Sequence, residues 1–191
     1  MDYGFEDEIK KCINVLKEGG LILYPTDTVW GIGCDALNIN AIEKIYTIKQ
    51  RPKDKSMIVL LAEARDIINF VAIPPPDIIS IVENFETPTS VIYDNVLGFP
   101  EKIVKNDGSL AIRITNDIFC KALIKRFKGP IVSTSANISG RVAPAFFKDI
   151  DKEIKDNMDY IVHYRQNDIE YRKPSRLVKI NDDGILTVLR D

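Results

Sequence analysis

Apolar residues recur at helical spacing in six segments of the chain, which are separated by glycine and proline breaks. Ile9, Ile13 and Leu16 repeat every three to four residues, and Gly19-Gly20 follow them as a stop signal. The pattern predicts helices over residues 6–18, 40–49, 64–71, 77–85, 117–127 and 147–157. In the fifth helix, the buried side is expected to carry Ile118, Ala122 and Leu123.

Short apolar runs between these helices predict buried strands. The predicted strands cover residues 21–24, 57–62, 89–93, 110–114, 131–134, 159–163, 175–180 and 185–190. Asn181-Asp182-Asp183-Gly184 is a turn signal, so the last two strands are expected to form a hairpin. Hairpins combined with crossover helices predict an α/β fold, with one domain over residues 1–191 and a twisted mixed sheet flanked by helices.

The composition is that of an ordinary globular protein. Of the 191 residues, 45% are apolar and 28% are charged. The net charge of −2 argues against broad, non-specific binding along a phosphate backbone. A net charge of −2 is still compatible with one basic face on the protein. No apolar run approaches the roughly 18 residues of a membrane span, and the acidic N-terminal segment is unlike a secretion signal. We therefore expect a cytoplasmic protein with no membrane contact.

The metal-ligating residue types are sparse. Cys12, Cys34 and Cys120 are far apart in the sequence, and His163 is the single histidine. This set gives little support to a Cys/His zinc site, and it suits a reducing cytosol.

Two polar segments follow predicted elements directly. Pro25-Thr26-Asp27-Thr28 comes after a strand, where hydroxyls can bind a polar ligand, but the same residues are also typical of a capping turn. Lys49, Arg51, Lys53 and Lys55 place four cations after a helix. Such a cluster suits a polyphosphate, and it equally suits a solvated helix C-terminus.

A third segment, residues 133–141, contains a dense row of hydroxyls with an amide, a glycine and an arginine. Small side chains and exposed backbone N–H groups are expected to form either an anion-binding nest or an elaborate turn. The spacings of a P-loop and of a nucleophile elbow are both absent.

Arg113, within the apolar run LAIRI, pairs either with an internal carboxylate or with a ligand carboxylate, since burying it unpaired would be costly.

Taken in order, these segments resemble the YrdC-type threonylcarbamoyl-AMP synthase family over about residues 10–190. Each motif is short, but their order and spacing are specific. The matching segments are residues 24–33 (YPTDTVWGIG, like PTDTVYGLG), 45–60 (like IYxIKxRPxxxPLxVL), 111–114 (AIRI, like VRxP), 135–140 (SANISG, like SANxSG), 173–175 (the Ser-Thr strand opening) and 188–190 (the closing hydrophobic-Arg).

The resemblance implies a YrdC-like domain with a concave cleft for ATP and threonine. It implies that Lys49 and Arg51 handle the phosphates and carry the catalytic charge stabilisation. Thr28, Arg113 and Ser175 are implied to hold threonine. The residues expected at the ATP are Lys49, Arg51, Lys55, Ser133, Ser135, Asn137, Arg141 and Arg190, the last of them closing over the nucleotide.

Three positions depart from the family pattern. The W-P-G-P-L-T block is represented by residues 85–90, FETPTS, without the glycine. Leu60 stands where relatives often have histidine, and Arg176 stands where threonine would follow the serine. One wall of the cleft is therefore left undefined by the sequence.

The family makes threonylcarbamoyl-AMP from ATP, L-threonine and bicarbonate, with release of pyrophosphate. Mg²⁺ is expected to arrive with ATP and to bind mainly phosphate oxygens and water, because the sequence shows no acidic cage. The product is implied to pass to a tRNA-modifying threonylcarbamoyl transferase complex. The sequence leaves open whether tRNA contacts this domain, and we expect a monomer or a weak dimer.

Two other functions are associated with this type of domain. A carbamoyl-adenylate-forming domain of hydrogenase maturation would be accompanied by zinc-finger segments, and none is visible. An RNA-binding or ribosome-associated YrdC-fold module without its own catalysis fits poorly with the net charge of −2 and with the lack of an RNP-like aromatic stretch.

Overall fold

The computed structural model describes residues 4–181 and 184–191, and there it contains a nine-stranded sheet and five α-helices. The strands are β1 (Ile22–Tyr24), β2 (Gly31–Asp35), β3 (Ile58–Leu61), β4 (Thr89–Tyr93), β5 (Leu110–Ile114), β6 (Ile131–Ser135), β7 (Tyr160–Ile161), β8 (Arg176–Ile180) and β9 (Leu186–Arg190). The helices are α1 (Glu6–Lys17), α2 (Ile39–Ile48), α3 (Ile78–Glu83), α4 (Ile118–Phe127) and α5 (Lys152–Asp156).

The sheet is mixed, as the sequence predicted. Its strand order is β7-β1-β2-β6-β3-β5-β4-β8-β9. The pairs β1–β7, β3–β5 and β4–β8 are parallel, and the others are antiparallel. The predicted hairpin of β8 and β9 is confirmed by their antiparallel pairing, although Asp182 and Asp183 of its predicted turn lie outside the described residues. None of the helices in the described part of the chain is long and apolar enough to cross a membrane.

The sequence pattern missed strand β2. No strand was predicted there, although Ile32 and Cys34 alternate with its two glycines as buried apolar residues. The glycines are needed for close packing between strands. A Cβ atom on Gly33 would lie 2.6 Å from Cε1 of Tyr24, which is inside van der Waals contact. The missing side chains therefore let β1 and β2 pair with the Tyr24 ring packed against them.

Three helical predictions differ from the structure. The segment predicted as a helix over 64–71 is a 3-10 helix, Ala64–Asn69. The segment predicted over 147–157 splits into a 3-10 turn, Phe147–Asp149, and α5, because Ile150 has an extended backbone with φ −69° and ψ 126°. Ile118 was expected on the buried side of α4 but is 50% exposed. Its place is taken by Phe119 and Cys120, which are fully buried.

Two apolar cores cover the two faces of the sheet. One contains Ile42 of α2 and Val82 of α3, and the other contains Leu16 of α1 and Leu123 of α4. Helix α1 contacts β1, β2 and β7, and helix α4 contacts β3. They leave the rest of their face uncovered, and the polar residues of the central strands lie there.

Candidate functional site

A row of residues that includes Ser133, Arg113 and Ser90 crosses the central strands on one face of the sheet. Gly33 of β2 is the cross-strand partner of Ser133 in β6, which in turn pairs with Ile58 of β3. Farther along the sheet, Arg113 of β5 pairs with Ser90 of β4. Directly opposed residues point to the same face of a sheet, so strand register brings together side chains that are far apart in sequence.

Ile58, Arg113 and Ser133 of this row line a cleft of about 260 Å³. Nine of the eleven predicted site residues line it, and they come from six separate segments of the chain. The nine residues are Thr28, Arg51, Arg113, Ser133, Ser135, Asn137, Arg141, Ser175 and Arg190. The other two, Lys49 and Lys55, do not line this cleft.

Lys49, which the resemblance implies at the phosphates, is buried and does not face the cleft. The residue is 1% exposed, because it continues the buried side of α2 one turn beyond Ile45. Its Nζ donates hydrogen bonds to the carbonyl oxygens of Ser135 at 2.5 Å and Asn137 at 2.6 Å. Burial lowers the pKa of Lys49 to about 7, and the nearby charge of Arg51 contributes to the lowering.

Arg51 reaches the cleft because the chain reverses after α2. Gln50 has a positive φ of 48°, which turns the backbone at the helix end. The Arg51 guanidinium donates from Nε to the carbonyl oxygen of Lys55 at 2.9 Å and from Nη2 to that of Ser56 at 2.6 Å. Burial lowers the pKa of Arg51, but a guanidinium stays protonated in proteins. Lys55 thus contributes a backbone carbonyl that holds Arg51, and its own side chain is exposed.

The segment of residues 135–141, which we call the serine loop, has few free backbone donors. The N–H groups of Ala136, Asn137, Ser139 and Arg141 all donate to backbone carbonyl oxygens at 2.8–3.1 Å. Of the two alternatives for this segment, the elaborate turn fits these four positions, and the nest of exposed N–H groups is wrong there. An anion in the cleft would meet side chains here: hydroxyls of the loop and the guanidinium groups around it.

Asn137 fixes the shape of the serine loop. Its Nδ2 donates to the carbonyl oxygens of Ile138 at 3.0 Å and Arg141 at 2.7 Å. Its Oδ1 is buried and has no hydrogen-bond partner among the described residues. A buried acceptor without a partner is uncommon in a folded protein, so the hydrogen bonding of this side chain is left incomplete within the described residues.

Of the two alternatives that the sequence left open for Arg113, pairing with an internal carboxylate is confirmed, and pairing with a ligand carboxylate stays a prediction. It is 3% exposed, its Nη2 forms an ion pair with Oδ1 of Asp27 at 3.2 Å, and it also lines the cleft. Its Nη1 donates to Oγ1 of Thr28 at 3.2 Å. The Nε atom has no hydrogen-bond partner within the described part of the chain. The guanidinium is therefore anchored by a carboxylate without being saturated by it.

Two hydroxyl residues that sequence analysis did not select support this end of the cleft. The Thr26 hydroxyl donates to the carbonyl oxygen of Val29 at 2.8 Å, so in its 2.9 Å bond with Thr28 the hydrogen comes from Thr28. The Thr28 oxygen is left as an acceptor. Ser90 lies 2.9 Å from Ser175, Oγ to Oγ. Thr26 lies in the PTDT segment and Ser90 in the divergent FETPTS block, so the sequence placed both near the site without showing their contacts.

The cleft is strongly electropositive. Four guanidinium groups line it, and no carboxylate is among its described lining residues. Arg141 pairs with Asp151 at 3.0 Å outside the cleft, and Arg190 donates from Nη2 to the Ser175 carbonyl at 2.8 Å. The described residues contain no cluster of three or more His, Cys, Asp or Glu that could hold a metal ion.

The two single-residue departures noted in the sequence lie outside the lining of the cleft. Leu60 is fully buried in the core beneath α1 and α4. Arg176 forms an ion pair with Asp191 at 3.3 Å, and its backbone N–H donates to the carbonyl oxygen of Pro88. Both residues therefore have structural roles.

Comparison with known proteins gives a consistent result. The model of the Sua5/YciO/YrdC family, described as telomere recombination, matches residues 14–191. A Methanocaldococcus jannaschii protein is 31% identical over 189 residues, which cover 96% of this chain and 87% of that protein. The threonylcarbamoyl-AMP synthase of Marinobacter nauticus is 33% identical over 165 residues, covering 85% of each chain.

Among solved structures, P. abyssi Sua5 complexed with L-threonine superposes with a TM-score of 0.84 at 23% identity. The match covers 97% of this chain and 54% of the P. abyssi protein, so this chain spans about half of that relative. At this identity, the likeness establishes a shared fold.

Proposed function

The chain belongs to the Sua5/YciO/YrdC family, and from this membership we propose that it is a nucleotidyltransferase that makes threonylcarbamoyl-AMP. Its substrates would be ATP, L-threonine and bicarbonate, and its products would include pyrophosphate. The observation that carries the proposal is the cleft, which joins an anchored arginine with hydroxyls at one end to three further guanidinium groups and the serine loop at the other.

Threonine is assigned to the end formed by Arg113, Thr28 and Ser175. The guanidinium is a planar match for the amino acid carboxylate, and Asp27 holds it in place by the 3.2 Å ion pair. The Thr28 oxygen already accepts from Arg113, and its second lone pair suits a donor group of the amino acid. The L-threonine complex of P. abyssi Sua5 supports this class of ligand for the fold.

ATP is assigned to the end formed by Arg51, Arg141, Arg190 and the serine loop. The threonine amine and bicarbonate form a carbamate with loss of water, and a sheltered cleft protects this unstable species. A carbamate oxygen then attacks the α-phosphorus, and the bond to the pyrophosphate leaving group breaks. No side-chain nucleophile is needed, so positioning and stabilisation of the developing negative charge account for catalysis.

Magnesium would enter with the nucleotide. The described lining offers hydroxyls and cations but no carboxylate, which fits an ion held mainly by phosphate oxygens and water. When bound, the ion would neutralise phosphate charge. The product would pass to a tRNA-modifying threonylcarbamoyl transferase complex, and the chain would act as a monomer or a weak dimer.

The test is to incubate the purified chain with ATP, magnesium, L-threonine and ¹³C-bicarbonate, and to analyse the products by mass spectrometry. We expect threonylcarbamoyl-AMP carrying one ¹³C atom, formed together with pyrophosphate. Omitting threonine should abolish the product. No adenylate under any condition, together with tight binding of tRNA, would instead favour a non-catalytic RNA-binding module.

A further inference from the structure

Lys49 is joined to three alternating residues of the serine loop. Its Nζ donates to the carbonyl oxygens of Ser135 and Asn137, and its own carbonyl oxygen accepts from the N–H of Ser139 at 2.8 Å. One residue at the end of α2 therefore fixes a loop that lies more than 80 positions away in sequence. No other described side chain donates to the Ser135 or Asn137 carbonyl oxygens in this way.

The position of Lys49 is unfavourable for a residue that binds phosphate. Its side chain is buried, and two of its three N–H donors are used by backbone carbonyl oxygens. The cleft already has exposed or half-buried cations in Arg51, Arg141 and Arg190. A buried ammonium needs acceptors around it, and here the serine loop supplies them.

We propose that Lys49 is a positioning residue, which holds the serine loop at a fixed distance from Arg51, and that it does not itself contact the phosphates. Arg51 follows two residues later and points into the cleft. Lys49 thereby sets the separation between the guanidinium and Asn137, whose free Oδ1 lies in the same loop. The assignment of these groups to ATP rests on the proposed function, but the structural role of Lys49 does not.

The test measures hydrogen exchange in the ligand-free protein, by mass spectrometry of peptides that cover residues 135–141. Lys49→Met keeps the length and apolar stem of the side chain but removes both donors. We expect exchange in the serine loop to become at least about tenfold faster, since two charge-assisted bonds are lost. Lys44→Met is the matched control, because Lys44 lies on the same helix and donates to the carbonyl oxygen of Gly19 at 3.1 Å, far from the serine loop.

Nucleotide binding supplies the second measurement. In Lys49→Met, the affinities for ATP and for pyrophosphate should fall, with little change for threonine. Combining Lys49→Met with Asn137→Ala should weaken ATP binding less than the product of the two single effects, because both act through the same loop. Unchanged exchange in the ligand-free loop together with weaker pyrophosphate binding would overturn the proposal and make Lys49 a direct ligand.

A second variant covers the case in which Lys49→Met does not fold. Lys49→Gln keeps a shorter donor and should show an intermediate rate of exchange in the serine loop. Faster exchange along the whole chain in every Lys49 variant that folds would also overturn the proposal, since it would show a general contribution to stability. If the wild type makes no threonylcarbamoyl-AMP, the proposed function fails, but the exchange measurement still decides the role of Lys49.

Discussion

Replacing Arg113 by lysine separates the two roles that the structure gives this residue. The guanidinium pairs with Asp27 through Nη2, bonds Thr28 through Nη1 and lines the proposed threonine end of the cleft. A lysine keeps the positive charge and can still pair with Asp27. It cannot form a planar fork at the same time, because its ammonium is a single point of charge.

The expected size of the effect follows from the contacts that are lost. A hydrogen bond to a charged group contributes about 1.5–3 kcal/mol. Losing the fork to the threonine carboxylate should therefore lower kcat/KM for threonine about 10- to 150-fold. Stability should fall less, because the Asp27 carboxylate keeps a cationic partner. The KM for ATP should change little, since the assigned nucleotide groups lie at the other end of the cleft.

The assay measures pyrophosphate release at varied threonine concentration, together with the thermal midpoint of unfolding. Arg126→Lys is the matched control: Arg126 lies on α4 and forms a two-point, exposed pair with Glu6, away from the cleft. This surface change should alter stability by less than about 0.5 kcal/mol and should leave the kinetics unchanged. A destabilised Arg113→Lys protein with normal threonine kinetics would refute the assignment and would leave Arg113 as a structural partner of Asp27.

Three further predictions concern the nucleotide end and pH. Asn137→Ala should weaken ATP binding with a smaller effect on threonine; unchanged ATP affinity by calorimetry would remove Asn137 from the site. Arg51→Ala should slow pyrophosphate release about tenfold or more, and wild-type turnover would show that Arg51 does not act on the phosphates. Burial lowers the pKa of Lys49 from 10.5 to about 7, so the unfolded chain binds more protons between those pH values. Wild-type stability should therefore rise relative to Lys49→Met over that range, by up to about 1.4 kcal/mol per pH unit, and urea unfolding showing a constant difference would contradict this.

Most of the helices and strands could be predicted because their signal is local. β4 and β5 have the bounds that their apolar runs predicted, and α1, α2 and α4 agree to within one residue at each end. The spacing of apolar residues directly indicates which side of a helix or strand is buried. Strand β2 was not predicted because glycines are typical of loops. Here Gly33 leaves room for the Tyr24 ring on the neighbouring strand, and Gly31 lies close to the Ser133 hydroxyl.

The order of the motifs was enough to identify the family and to select side chains that meet in one cleft. The sequence also limited the partner of Arg113 to an internal carboxylate or a ligand carboxylate, because burying an unpaired arginine in an apolar strand is costly. These conclusions depend on residue type and spacing, which do not change when the chain folds.

Only the tertiary structure decided where individual side chains point. Lys49 lies in a row of cations but is buried, because the last turn of α2 directs it towards the carbonyl oxygens of Ser135 and Asn137. The serine loop has the composition of an anion nest, but four of its N–H groups are used by backbone carbonyl oxygens, two within the loop and two from Trp30 and Lys49. Trp30 and Lys49 are distant in sequence and lie beside the loop only because of strand pairing and helix packing, so no local pattern contains these contacts. The sequence therefore determined which residues surround the cleft, and the folded chain determined which of them face it.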